Sequence, residues 1–209
     1  MGLNLDELLT SFIVLWTVID PIGTIPVFLA VTKSFNPSEK KKIALQSSLS
    51  AFGILLFFMI AGEVLLTRVG VSLAAFQTSG GVILFLFALN MIFGDSKPEE
   101  EMQLIKKKGS ETAIFPLAIP SIASPGAILA IVLLAKGANN SAKELLWLCI
   151  VMTTILLLNY FLMRISSKIH HKIGDTGAIV ISKVMGLILA SIAANNVLLG
   201  IRDFFKITY

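Results

Sequence analysis

Two hydrophobic stretches, each long enough to cross a membrane, are interrupted by prolines and a glycine. The first interruption reads Asp20-Pro21-Ile22-Gly23-Thr24-Ile25-Pro26 and the second Pro120-Ser121-Ile122-Ala123-Ser124-Pro125-Gly126. A proline inside a helix removes an amide donor and clashes with the preceding turn, so two per stretch predict local unwinding. Lipid offers unwound backbone no partner, so such backbone survives only buried in protein or lining a cavity. Interrupted segments at matching places in two halves of a chain mark transporter binding sites, and this pattern points to solute transport.

Composition sets the same frame. Of 209 residues, 56% are hydrophobic and 14% charged, with a mean hydropathy of +0.87, against about 25% charged in soluble domains. Apolar segments fall at about 8–32, 45–66, 73–94, 113–135, 144–165 and 179–203. Six spans of ~20 residues use nearly the whole chain, which predicts an all-α polytopic membrane protein of one transmembrane domain. The net charge of +4 and pI near 9.2 come from lysines in the loops between spans, which suits a membrane surface better than nucleic acid. Cys149, the sole cysteine, lies in an apolar segment and allows no intrachain disulfide. Met1 to Glu7 carries two acids and no base, unlike a signal peptide, which predicts that the first apolar segment is retained.

Lys and Arg divide unevenly between the two sides. One side collects Lys33, Lys40 to Lys42, Lys97, Lys106 to Lys108, Arg164, Lys168 and Lys172, eleven in all; the side of the termini has Arg68, Lys136, Lys143, Arg202 and Lys206, five in all. The positive-inside rule then places both termini outside the cytoplasm. The loop from Asp95 to Thr112, with Glu99 to Glu101 and Lys106 to Lys108, reads as a solvated linker. His170 and His171 have no further ligand at metal spacing, so neither a metal site nor a cofactor is expected.

The interruptions belong to a longer register. A shift of 104 residues lays Asp20-Pro21 on Ser124-Pro125, and a shift of 105 lays Gly81 on Gly186, Ala88 on Ala193 and Asn90 on Asn195. Repeat one is read as about 1–95, the linker as 96–112 and repeat two as about 113–209. Three spans per repeat is an odd number, so the second copy enters from the opposite side as an inverted repeat, with spans one and four broken near the midplane.

A carboxylate deep in a span faces a cavity or a partner, which makes Asp20 the first candidate for substrate binding. It could bind a substrate ammonium or a coupling cation, take up a proton, or simply cap the half-helix that begins near Pro21. Ser124 stands at the equivalent place before Pro125. Amides after each break lie at positive half-helix ends that hold carboxylates. Pro21, Gly23 and Thr24 complete the first cluster and Gly126 the second, with glycine either admitting a ligand close to the backbone or allowing helix packing. Asn90 and Asn195, late in spans three and six, are either interhelical glue or substrate contacts. Asn196, Asn159, Thr78 and Ser79 are weaker candidates, Gly80 and Gly81 suit packing against the broken spans, and Glu63 reads as interfacial.

Asp20-Pro21-Ile22-Gly23-Thr24-Ile25-Pro26-Val27-Phe28 and Pro116 to Pro120 followed by Ser124-Pro125-Gly126-Ala127-Ile128 resemble the MarC family of bacterial and archaeal inner-membrane proteins. Ala61-Gly62-Glu63, Ser79 to Phe85 and Met185 to Leu189 extend the resemblance over nearly the whole chain. The resemblance implies transport of small neutral amino acids such as glycine and alanine. Many members have Gly where this chain has Ser124. The residues suit such a substrate independently: half-helix amides and Asp20 would hold a zwitterion, while Ile22, Ile25, Ile119 and Ile122 would exclude long side chains. The coupling ion is read as H⁺ or Na⁺.

Rival classes fare less well. Asp20 has no second intramembrane Asp, no His-Glu-x-x-His occurs, and no Ser-His pair lies at membrane depth, so no enzyme is expected. Export of other metabolites or drugs is the main alternative, and a channel the lesser one. The charge count predicts that a cysteine at the extreme C-terminus of a Cys149→Ser chain reacts with membrane-impermeant reagents in intact cells. Labelling of the Lys106 loop instead would reverse the orientation.

Overall fold

The computed structural model describes residues 5–32, 35–93, 113–138 and 141–206. The expected linker at 96–112 lies outside them. Among these residues seven helical elements follow in order: α1 Leu5–Ile19, α2 Thr24–Val31, α3 Pro37–Val69, α4 Leu73–Phe93, α5 Ala113–Ile122, α6 Pro125–Gly137 and α7 Ala142–Phe205. No strand occurs among the described residues.

Among the described residues, four stretches are long and apolar enough to cross a membrane: α3, α4, and the Ala142–Ser166 and Lys183–Phe205 parts of α7. A fifth candidate is the pair α5 and α6, bent by 57° at the second interruption. The expected first span is not one helix, because α1 and α2 are separated by the turn at Asp20–Gly23. At 1.5 Å per residue α2 is only about 12 Å long.

Local sequence explains most boundaries. Asn36 caps α3: its side chain accepts from Glu39 N at 3.0 Å while Glu39 Oε2 accepts from Asn36 N at 2.9 Å, and Pro37 takes the first helical position. Gly70, with φ of 77°, closes the same helix in the left-handed conformation. Lys40 to Lys42 therefore sit on the first turns of α3 and not in a loop. In α5 the irregularity is wider than the 120–126 stretch suggested. Phe115 and Ile119 are extended, at φ −131° and ψ 121° or 128°. Each precedes a proline, Pro116 or Pro120, whose ring pushes the residue before it out of the helical region. Pro26, by contrast, is absorbed in the first turn of α2, where no helical hydrogen bond needs its nitrogen.

The expected fifth loop, at about 166–178, is helical backbone within α7. That stretch contains Gly174 and Gly177 but no proline to end a helix. Yet α7 is not straight. Leu145 lines a cavity with Thr67, while Ala74 and Thr78 lie against Gly200. Thr67 and Ala74 are joined by at most ~25 Å of chain, whereas residues 145 and 200 would be about 80 Å apart on a straight helix. The chain must double back between its two apolar parts.

Burial divides the molecule into an inside and an outside. Only 22% of the apolar windows in α3, α4 and Lys183–Phe205 is buried in the protein, and Leu49, Ile60, Leu86 and Leu198 point outward. The interrupted segments form the interior instead: Ile19, Val27, Leu117, Ile122, Ala127 and Ile131 have no exposed surface. The packing of α3, α4 and α7 covers both caps, Asp20 and Ser124, whereas Phe115 and Ile119, the extended residues of α5, keep outward-facing side chains.

The long helices meet through small residues. A Cβ at Gly81 would stand 3.0 Å from both Ala193 O and Val197 N, and one at Gly186 would stand 3.2 Å from Ala88 O. The α4 seam therefore pairs with the last part of α7, not with the broken segments as expected for Gly81; Gly80 does face the broken segments, at Leu129. Gly81→Val should destabilise the protein by about 1–3 kcal/mol, since neither neighbour is a movable side chain. Gly53→Ala, with nothing within 4 Å, should raise stability by about 0.5–1 kcal/mol, since alanine is the better helix former. Thermal unfolding in detergent would measure both, and equal effects would contradict the seam.

Candidate functional site

Both interruptions are built on the same device, a polar side chain folded back onto the amide three residues ahead. Asp20 is the only residue before α2 with a positive φ, 49°, among the described residues. Asparagine and aspartate tolerate that conformation better than most residues. Its Oδ1 accepts from Gly23 N at 2.9 Å, and its carbonyl accepts from Thr24 N and Thr24 Oγ1, each at 3.0 Å. At the second interruption Ser124 Oγ accepts from Ala127 N at 3.1 Å and Pro125 opens α6. Each cap pairs an amide that a helix start leaves without a partner.

One hydrogen bond ties the two together. Ser124 Oγ donates to Val18 O at 3.2 Å, across 106 residues of sequence. Val18 lies in the last turn of α1, whose carbonyls have no partner within their own helix. Asp20, Thr24 and Ser124 are all at most 2% exposed. The structure therefore shows Asp20 in the capping role, with its carboxylate against the start of α2.

The glycines have steric reasons within the protein. A Cβ at Gly23 would lie 2.0 Å from Asp20 Oδ2, so the carboxylate can fold back only over a glycine. A Cβ at Gly126 would lie 2.1 Å from Leu84 Cδ1 of α4. Pro21 is buried in the turn that Asp20 opens.

The structure treats the two asparagines differently. Asn195 is exposed and lines a cleft of about 440 Å³ with Val18, Leu84, Leu129, Gln77 and Ser191. Val18 receives the Ser124 hydroxyl and Leu84 covers Gly126, so this cleft adjoins the breaks. Asn90 is exposed at the far end of α4, in a shallow depression beside Leu86 and Phe93. It does not join the cluster. Sequence reasoning passed over Gln77 and Ser191. Gln77 Nε2 donates to Asn196 Oδ1 at 3.5 Å, which puts polar groups of both long helices on that cleft. Their signal was a polar residue in an otherwise apolar helix.

Toward the ends of α3 and α6, Glu63 pairs with Lys136, both about two-fifths exposed. This supports the interfacial reading of Glu63. No cluster of His, Cys, Asp or Glu that could hold a metal ion occurs among the described residues, and the side chains of His170 and His171 lie outside them.

An all-helical chain with a lipid-facing apolar exterior and interrupted, polar segments at its centre is an integral membrane protein. It belongs to the MarC family of integral membrane proteins, whose profile matches residues 5–205. It is 32% identical over 203 residues to a UPF0056 membrane protein of Methanocaldococcus jannaschii, covering 96% of this chain and 98% of that one. It is 30% identical over 205 residues to the UPF0056 inner membrane protein YhgN of Escherichia coli strain K12, covering 97% and 100%. No solved structure matches.

The double role of Ser124 can be tested by stability. Ser124→Ala removes a cap and leaves Val18 O without its donor, so it should cost about 1–3 kcal/mol. Ser124→Thr keeps the hydroxyl and should cost clearly less. Identical melting curves for the alanine variant and the parent would show that the link between the breaks contributes nothing.

Proposed function

We propose that this protein is a secondary transporter of small neutral amino acids such as glycine, alanine or serine, working by alternating access and driven by an H⁺ or Na⁺ gradient. The observation that carries this reading is the Ser124–Val18 hydrogen bond. It draws two capped helix breaks together in the buried centre of an apolar helical shell. Transporters commonly bind their substrates between broken helices of this kind.

In this reading α1 with α2 and α5 with α6 are spans one and four. The two apolar parts of α7 are spans five and six, giving two inverted three-span repeats. The antiparallel packing of α4 on the last part of α7 and the doubling back of α7 both support that arrangement. The membrane is the cytoplasmic one, with both termini outside.

A zwitterion suits the chemistry at the breaks. Asp20 would balance the substrate ammonium or a coupling cation, while amides at the starts of α2 and α6 would face the substrate carboxylate. Pro21, Gly23, Thr24, Gly126 and Asn195 would form the surrounding wall. Asn90, at the far end of α4, would contribute to the inner mouth and not to the central site. The reaction is movement of an unaltered solute, so a carrier and not an enzyme is the class proposed.

Uptake of labelled glycine or alanine into proteoliposomes, under separately imposed proton and sodium gradients, tests the reading. Gradient-driven, saturable uptake with counterflow is expected; no uptake and no competition by small amino acids would refute it. Asp20→Asn keeps the cap but removes the charge, so it should insert and fold yet lose at least tenfold in concentrative uptake. Exchange without accumulation would assign Asp20 to ion coupling, and loss of both to substrate binding. Full gradient-driven uptake by this variant would reduce Asp20 to a helix cap.

A further inference from the structure

Asn159 on α7 has no exposed surface, and neither its Nδ2 nor its Oδ1 has a hydrogen-bond partner among the described residues. Ser121 Oγ on α5 and Ser48 Oγ on α3 share that condition. Burying a carboxamide without a partner forfeits its hydrogen bonds to water with nothing in return. Its neighbours one turn away on the same helix, Ile155, Leu156 and Met163, are buried apolar side chains. A leucine would occupy the same space without the penalty. Lipid and a second copy of the chain are both excluded as partners, because neither reaches a fully buried side chain.

Helix registers locate this amide relative to the breaks. Ser47 Oγ lies 3.9 Å from Met163 Sδ, and Leu145 lines a cavity with Glu63 and Thr67, so α3 and this part of α7 run antiparallel. One turn on from Ser47 is Ala51, and one turn back from Met163 is Asn159. The helix α6 runs the same way as α3, since Val132 packs on Gly62 and Lys136 pairs with Glu63. Counting twelve residues back from Lys136 gives Ser124, and twelve back from Glu63 gives Ala51 again. Asn159 and the second break are therefore level, to within a turn. Ser48 follows about a turn away on α3, and Ser121 stands three residues before the second break on α5.

We propose that Asn159, with Ser121 and Ser48, forms a second polar wall of the substrate site and recognises the main-chain groups of a small neutral amino acid. The carboxamide Nδ2 and the two hydroxyls would donate to the substrate carboxylate, and Oδ1 would accept from its ammonium. A carboxamide offers both donors and an acceptor with no net charge, which matches a ligand of zero net charge. This inference rests on the transport reading and extends it. The wall is sealed in the present state, and alternating access supplies the opening that admits the ligand.

Equilibrium binding of labelled glycine and alanine to the purified full-length protein, with melting temperatures of the empty protein, tests the inference. The parent is compared with Asn159→Leu and Ser121→Ala. Asn159→Leu should melt at or above the parent temperature and bind at least tenfold more weakly; Ser121→Ala should melt unchanged and bind severalfold more weakly. If the parent binds and Asn159→Leu binds within twofold of it, the second wall is overturned while the transport reading stands. If Asn159→Leu melts much lower or cannot be recovered folded, Asn159 is a structural hydrogen-bonding residue and the inference is again overturned. A parent that binds no small neutral amino acid would remove the transport reading and this inference together.

Discussion

Backbone freed inside a bilayer has to find its hydrogen bonds within the protein, and here a single hydroxyl serves both places where it is freed. Ser124 accepts from the start of its own helix and donates to the end of α1. Asp20 provides the matching cap at the first break. The capped breaks at Asp20 and Ser124 lie in the buried centre, and the uninterrupted helices present most of their apolar surface outward. A half-satisfied core of this kind would be costly in any medium, and most of all in one without water.

The prolines made the breaks legible from the amino-acid sequence, because their effect on the backbone is local. So is the preference of Asp and Ser for the positions before them. The bond from Ser124 to Val18 was not legible, since it depends on where two helices cross. Gly23 was read as either admitting a ligand or allowing helix packing, and the group that packs against it is the carboxylate of Asp20, three residues earlier on its own chain. Phe115 and Ile119 carried their signal openly, each standing before a proline, and the irregular stretch is longer than the Pro-Gly pattern alone suggested.

Faces were harder to read than breaks. A helix that is apolar all round has no contrast from which an inward side can be inferred. That is why Asn90 and Asn195, matched in register, part company in the structure: one ends beside Phe93 and the other on a cleft beside Val18. Asn159 stood in the sequence as one weak candidate among several, and only its complete burial sets it apart. The expected loop in α7 failed for a related reason. Charged residues and glycines mark the stretch in which the chain reverses between two apolar parts, but without a proline the backbone there keeps helical geometry.

The glycine contacts also say how the two halves of the chain are joined. Gly62 receives Val132, Gly80 receives Leu129, and Gly81 receives Ala193 and Val197, so in each case a notch from the first half holds a residue of the second. The halves are clasped like two hands with interlaced fingers, not set side by side. Side-chain packing at these notches holds the two halves against each other. The helix pairs packed around the centre are therefore drawn from both halves, and a cavity-filling change at one notch would loosen the two halves together.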